Sequence, residues 1–446
     1  MEEDIRTSSA TAIKTSTKVE ERLEAAIEEA SKRIKYDSAH DEEILRSLSL
    51  VAEFIKDKKR VCYGGTAMNS ILPQSKKFYN PELDLPDYDF YTPDVEGDVE
   101  ELVALLNKEG FKDVYHKVGI HEGTKKILVN FVPVADVSSI EPELFAVLLR
   151  RSILKDGMYY TDDIILRMMM YLELSRPKGM VERWPKVYER LQLINELFPI
   201  RGCVGVATGE PPSTIPLGIR KSILEYIIEW KRILCNGAMG HLYARGIRKR
   251  DAVYRIQEGG AVLFTSPDPK IDAFTLKKKL GEGIELFRHK QRGEIVPERF
   301  ELRLKGKTIC VIVEETACHS YVAFPTSDER QIYIASLEFL ITLYLSLSIF
   351  TTHAKDILGD SVLCQVKQFI RLSNENHAAK KSQFPPFSLQ CRGHQTGFAS
   401  LLREKVKRVR RERGELGSVA KSIKRRHSAA RHSGTHKLRS KNKDKK

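Results

Sequence analysis

The sequence predicts an α+β protein: a small mixed β-sheet with flanking helices, then a helical segment, then a second, degenerate unit of the same kind. Three observations predict it. Apolar residues recur at helical spacing over residues 18–58 and again from 161 onward. Between them, residues 59–150 hold short β-branched and aromatic runs punctuated by Gly, Pro and Asp. After residue 258 the order helix, strand, turn, strand returns.

The first 58 residues read as two amphipathic helices, "KVEERLEAAIEEASKRI" and "DEEILRSLSLVAEFIKDKK". "RVCY" is then a short strand, "GGTAMNSIL" opens a helix, and "DYDFY" alternates as a strand does. A helix at "DVEELVALLNKEG" leads into "KDVYHKV" and "KKILVNFVPVADV", two strand-like runs around a Gly-containing turn. Helices at "DDIILRMMMYLELSRP" and "RWPKVYERLQLINELF" complete a unit spanning 59–200, and the Gly/Pro-rich stretch 201–218 is a linker or loop. The second unit spans 219–400. Within it "EGGAVLFTSPDP" stands where "YGGTAMNS" stood, but no Asp-x-Asp follows, so this copy reads as inactive.

Charge is distributed unevenly. From Arg403 to Lys446 there are 18 Lys and Arg against 4 acidic residues, leaving 56 basic and 56 acidic residues in the rest of the chain. The tail 401–446 is poor in apolar residues after Val419 and is expected to be disordered. It is either a phosphate-attracting arm whose grip weakens with salt or a solubility or nuclear-targeting tail. Seven scattered cysteines without Cys-x-x-Cys spacing predict free thiols and a reducing, intracellular compartment. Cys391 and His394 would be half of a zinc site, with no second pair to complete it. Ile332 to Phe350 is nearly long enough to cross a bilayer, but Glu338 and several hydroxyls predict a buried helix, so no membrane partner is expected. The N-terminus has no apolar stretch of secretory type.

The chemistry is concentrated in three carboxylates. In an extended strand Asp87 and Asp89 face the same way, about 7 Å apart, and such a pair repels unless a cation lies between them. Asp136 ends an apolar strand that would lie beside theirs. Hard oxygen donors of this kind suit Mg²⁺ or Mn²⁺, and three can hold two ions about 4 Å apart. Gly64 and Gly65 allow close backbone approach, and the helix from Thr66 offers unpaired N–H groups to an anion. No Gly-x-x-x-x-Gly-Lys-Ser/Thr run is present.

A strand, Gly-Gly and a helix, Asp-x-Asp, then a third Asp on a later strand resembles the active-site layout of the polymerase-beta-like nucleotidyltransferases. Within them, "YGGTAMNSILP", "LPDYDFYTPD", "VADVSSI" and "YLELSRPKGMVERWPKVYERL" are similar to the poly(A) polymerase catalytic subunit of large nucleocytoplasmic DNA viruses. The resemblance implies a metal-binding catalytic triad of Asp87, Asp89 and Asp136, with Gly64 and Gly65 on the triphosphate and Thr66 and Asn69 supporting the nucleotide. It also implies ATP as donor, an mRNA 3′ end as acceptor, a homodimer, and a place in the host cytoplasm or virion. Lys155, Arg183 and Lys186 are candidates to neutralise phosphates; a solvated basic face is the alternative.

"HLYARGIRKRDAVYRI" interleaves Tyr243 and Tyr254 with Arg245, Arg248, Lys249 and Arg250, a pattern suited to single-stranded RNA or to a plain charged surface helix. CCA addition, uridylylation, 2′–5′ linkage formation and a non-catalytic RNA-binding scaffold stay open as alternatives, because base choice does not depend on the carboxylates.

Overall fold

The computed structural model describes residues 2–203, with side chains from Val19, then 215–236, Tyr243, and 260–414 apart from 293–294, 327–328, 352–353, 360, 380–384, 386, 396, 398 and 412. Two helices come first, α1 (Glu2–Ala39) and α2 (Glu42–Asp57). The Asp41 carboxylate caps α2 by accepting from the Ile44 N–H at 2.9 Å. Helical spacing alone does not decide burial: Ile44, Leu48, Val51 and Phe54 of α2 are core residues, whereas Val19, Leu23, Ile27 and Ile34 of α1 are exposed.

The first sheet unit runs β1 (Val61–Cys62), α3 (Gly64–Ile71), β2 (Asp89–Thr92), α4 (Val95–Lys108), β3 (Tyr115–Val118), β4 (Thr124–Val129), β5 (Val132–Ser139), α5 (Pro142–Arg151), β6 (Ile153–Lys155) and β7 (Met158–Tyr160). The hairpin β6–β7 is too short for periodicity to reveal, and the sequence reading leaves it out. The strand order is β3-β4-β5-β2-β1-β7-β6, with β2 parallel to β5 and β1 parallel to β7. Strand alternation sorts the side chains. Cys62, Phe90, Ile127 and Val137 pack in a cluster with α2 and α4, while Val61 and Tyr91, on the opposite face, belong to a larger cluster. Asp89, Tyr63 and Asp136 share that second face by parity.

Helices α6 (Asp163–Leu174) and α7 (Trp184–Leu197) follow, and then the second unit: α8 (Leu217–Glu229), β8 (Ile233–Leu234), β9 (Val262–Ser266), α9 (Pro269–Leu280), β10 (Ile284–His289), β11 (Arg299–Leu304), β12 (Lys307–Glu314), β13 (His319–Pro325), β14 (Gln331–Ala335), α10 (Leu337–Phe350), α11 (Ala354–Leu358), α12 (Val362–Ala378) and β15 (Cys391–Arg392). The larger hydrophobic cluster continues through α6 and α7 into this unit.

The second sheet is ordered β10-β11-β12-β9-β8-β14-β13-β15. Its first seven strands repeat the first sheet's order and the parallel or antiparallel sense of every pairing. Register agrees as well: Cys62 opposite Phe90 corresponds to Leu234 opposite Phe264, and Phe90 opposite Val137 to Phe264 opposite Ile312. So do local details. Asp94 and Asp268 cap α4 and α9, and Arg60 forks onto Asp98 (2.6 and 2.8 Å) as Arg232 does onto Asp272 (2.7 and 2.8 Å). The α+β architecture expected from the sequence is thus present, with one correction to the echo. Val262–Asp268 matches Tyr88–Asp94, not the Gly-Gly segment; the Ser/Thr-Pro-Asp cap, not the glycine pair, is the shared feature.

Three further expectations change. Ile332–Phe350 is a strand followed by a helix of 14 residues, and among the described residues no helix is long and apolar enough to cross a membrane. The buried Glu338 of α10 accepts from the Ser373 hydroxyl at 2.9 Å and lies 3.3 Å from His377 Nε2. Cysteines are not all free. Cys203 pairs with Cys364 and Cys318 with Cys391, over separations of 161 and 73 residues that spacing cannot reveal, while Cys62, Cys235 and Cys310 are buried thiols. Cys391 is therefore unavailable to a metal. Finally, the stretch expected to be disordered begins as a helix over residues 399–411, tied to the first unit by Arg408 donating to the Ile120 carbonyl at 3.0 Å; residues 415–446 lie outside the described residues.

Candidate active site

The pairing of β2 with β5 sets Asp89 directly opposite Asp136. Asp87 sits two residues earlier at the solvent edge, its carbonyl accepting from the Thr66 hydroxyl at 2.7 Å and from the Asp89 N–H at 3.0 Å. The three charges feel one another. Burial first, then Asp87 and Asp136, push the Asp89 carboxyl up to about 8. The Asp87 carboxyl is also raised, by desolvation and then by Asp136.

Gly64 opens α3 with φ +70°, and a Cβ built there would lie 2.6 Å from Asp89 Oδ2. Glycine is required by the carboxylate as much as by the turn. At Gly65 a Cβ would come within 2.2 Å of the Tyr79 hydroxyl and 3.1 Å of Arg190 Nη1. The close approach read from the sequence is present, and protein groups make it.

The other expected residues divide. The Asn69 side-chain oxygen accepts from the Phe78 and Tyr79 N–H groups at 2.9 and 3.2 Å, so it holds the segment that packs on Gly65. Lys155 donates to the Ser70 carbonyl at 2.6 Å, at the end of α3 away from the glycines. Arg183 lies 3.3 Å from Glu173 Oε1, yet its charge still favours ionisation of Asp89. The Lys186 ammonium is held below its ordinary range chiefly by Arg190, and its charge also reaches Asp87. Arg245, Arg248, Lys249, Arg250 and Tyr254 lie outside the described residues. Tyr243 is described, and it corrects the reading of an aromatic platform: it is buried, its hydroxyl donating to the Ala335 carbonyl at 2.8 Å.

Two residues at the site escape the sequence reading. Arg190 stacks over Phe78 with its guanidinium 4.2 Å from the ring centroid and shares a helix face with Lys186 and Arg183. Lys126, opposite Asp136 on β4, places its ammonium 2.5 Å from Asp136 Oδ1. Helical spacing from Lys186 signals the first; nothing local signals the second.

Does this donor set fit a divalent cation? Its chemistry does: three hard oxygen donors gather here, crowding raises the proton affinity of Asp87 and Asp89, and the Lys126 ammonium is already drawn onto Asp136. Among the described residues no three carboxylate, imidazole or thiolate side chains already converge on one ion position. Asp87, Asp89 and Asp136 would hold the ion by closing around it.

Acidic residues on two paired parallel strands, beside a strand, Gly-Gly and helix turn, are the layout that the resemblance to the nucleotidyltransferase class of fold leads one to expect. Residues 49–180, which carry both glycines and all three carboxylates, match the model of the family described as poly(A) polymerase catalytic subunit. A candidate poly(A) polymerase catalytic subunit of Acanthamoeba polyphaga mimivirus is 29% identical over 188 residues, 41% of this chain and 32% of that protein. Its counterpart from African swine fever virus is 30% identical over 164 residues, 35% of this chain and 34% of that protein. The match thus spans about a third of the length of these relatives. The crystal structure of the Megavirus polyadenylate synthase shares the fold at a TM-score of 0.72 with 17% identity, over 90% of this chain and 83% of that one.

Proposed function

We propose that this chain is a poly(A) polymerase that adds AMP from ATP to the 3′-hydroxyl of RNA without a template. The observation that carries the reading is Asp89 opposite Asp136 across parallel strands, against the glycine turn that opens α3. The family match over residues 49–180 supports polyadenylation specifically.

In this reading the α3 N-terminus presents free N–H groups to the triphosphate. Arg183, Lys186 and Arg190 on their shared face lower its charge, while Thr66 and Asn69 fix the two segments around the glycines. Lys155 acts at one remove by steadying α3. Mg²⁺ or Mn²⁺, when bound by Asp87, Asp89 and Asp136, would supply activation of the attacking hydroxyl and neutralisation of the leaving phosphates. The RNA 3′-oxygen forms a bond to the α-phosphorus, the bond from that phosphorus to its bridging oxygen breaks, and pyrophosphate leaves. The hydroxyl proton passes to a carboxylate of the trio. A viral protein acting in host cytoplasm or virion accords with the relatives' source, and the homodimer rests on the family resemblance alone.

The test is incubation with a short RNA, Mg²⁺ or Mn²⁺ and each of the four NTPs separately, with product length read on a gel. ATP alone should give long products, and Asp89→Ala should abolish them while RNA binding by filter retention is unchanged. Equal extension from CTP or UTP would point to another transferase; no extension by the wild type would leave only the scaffold reading.

A further inference from the structure

Lys126 is not explained by the fold. The copy of this sheet supplies a control within the same chain: the register that sets Lys126 opposite Asp136 sets Glu301 opposite Val311. The positions equivalent to Asp89 and Asp136 are Leu263 and Val311, both fully buried. Where the carboxylates are missing, so is the lysine, and its place holds an opposite charge bound by Arg303, His289 and Thr308. The lysine therefore goes with the carboxylates, not with the strand. Its neighbour Lys125 points to the other side and pairs with Glu96 at 2.5 Å. The Lys126 charge, besides contacting Asp136, reaches Asp87 and Asp89.

We propose that Lys126 is a resident counter-ion of the three carboxylates, which a divalent ion must displace, so that metal and nucleotide bind cooperatively. The inference rests on the reading of the site as a metal-dependent nucleotide site. An ammonium 2.5 Å from Asp136 Oδ1 competes with a divalent cation for that oxygen through like-charge repulsion. Once displaced, it needs another anion, and the triphosphate arriving with the metal is one. Free metal is then disfavoured, metal with nucleotide is favoured, and the coupling is reciprocal. Lys126 is thereby a positioning residue for the cation.

The experiment is titration of the full chain with Mn²⁺, free ion read by electron paramagnetic resonance, with and without a non-hydrolysable α,β-methylene ATP. Wild type, Lys126→Met, Lys126→Gln, Lys125→Met and Asp136→Asn are compared. Without nucleotide, both Lys126 variants should bind Mn²⁺ about fivefold tighter than wild type, as expected for loss of one partly exposed ion pair. The nucleotide-induced gain in Mn²⁺ affinity should shrink in both, and KM for ATP should rise. Lys125→Met should change neither affinity. Unchanged or weaker Mn²⁺ binding in both Lys126 variants, or an equal gain in Lys125→Met, would overturn the proposal. Failure of the metal-site reading itself is distinct: the wild type would then show no Mn²⁺ binding that Asp136→Asn removes.

Discussion

At the scale of single residues, Asp89 is where function and stability oppose each other. Its carboxyl titrates near 8 in the fold, against an ordinary value near 3.8, because burial and two neighbouring carboxylates disfavour its charge. The folded chain thus holds a proton that the unfolded chain has released between those two values. The stabilisation from that proton is fully present below about pH 4 and is lost as pH rises toward 8. Asp89→Asn has no charge to bury. In EDTA, the melting temperature of the wild type should therefore fall relative to that of Asp89→Asn between pH 5 and pH 8. Adding Mn²⁺ at pH 8 should raise the wild-type value and leave the variant's unchanged. Parallel melting curves across this range would mean that the three carboxylates do not crowd one another.

At the scale of elements, the helix α3 and its two glycines form one device with unequal tolerance. Gly64→Ala combines a left-handed φ, which costs a non-glycine residue about 1 kcal/mol or more, with a Cβ against Asp89 Oδ2. Activity should fall by about two orders of magnitude while the fold persists, since a small misplacement at the reacting centre is that costly. Gly65→Ala meets the Tyr79 hydroxyl, a side-chain end, so adding Tyr79→Phe should return part of the lost kcat. Equal damage from both glycine variants, with no rescue, would count against this division. Much of this element was legible in the sequence: the strand, the glycine turn and the helix lie within twelve residues and obey local rules. The lysine facing Asp136 was not. Counting outward from the two-residue turn Asn130-Phe131 sets Asp136 opposite Lys125. The ladder slips by one residue between Ile127 and Leu128, next to Pro133, and brings Lys126 there instead. Proline has no N–H for the ladder, so a bulge at that point is physically reasonable, but its presence is a property of the paired strands and not of either alone.

At the scale of the whole molecule, one topology appears twice and carries the three carboxylates once. Positions equivalent to Asp87, Asp89 and Asp136 are Ala261, Leu263 and Val311, and Asn236 stands at the position of Gly64. The Asn236 amide donates to the Ala261 carbonyl and accepts from the Leu263 N–H, side-chain bonds that Gly64 cannot make. Leu263 and Val311 join the hydrophobic cluster that α6, α7 and α10 share. The second unit has therefore turned its site face into core, and we propose that it braces the first unit without catalysing anything. Glycine pairs misled the sequence comparison because a turn can be made by many residues, whereas a buried face restricts what it accepts. If the second face is core, Val311→Asp should destabilise the protein by about 3 kcal/mol or more, the usual consequence of burying a carboxylate without a partner. A large fall in melting temperature and in soluble yield would register it. Glu314→Gln, at the half-buried C-terminal end of the same strand, should leave both melting temperature and tail synthesis as they are. A Val311→Asp protein that melted like wild type and gained a second Mn²⁺ site would show instead that the copy retains a usable site, and the division of labour between the two halves would have to be abandoned.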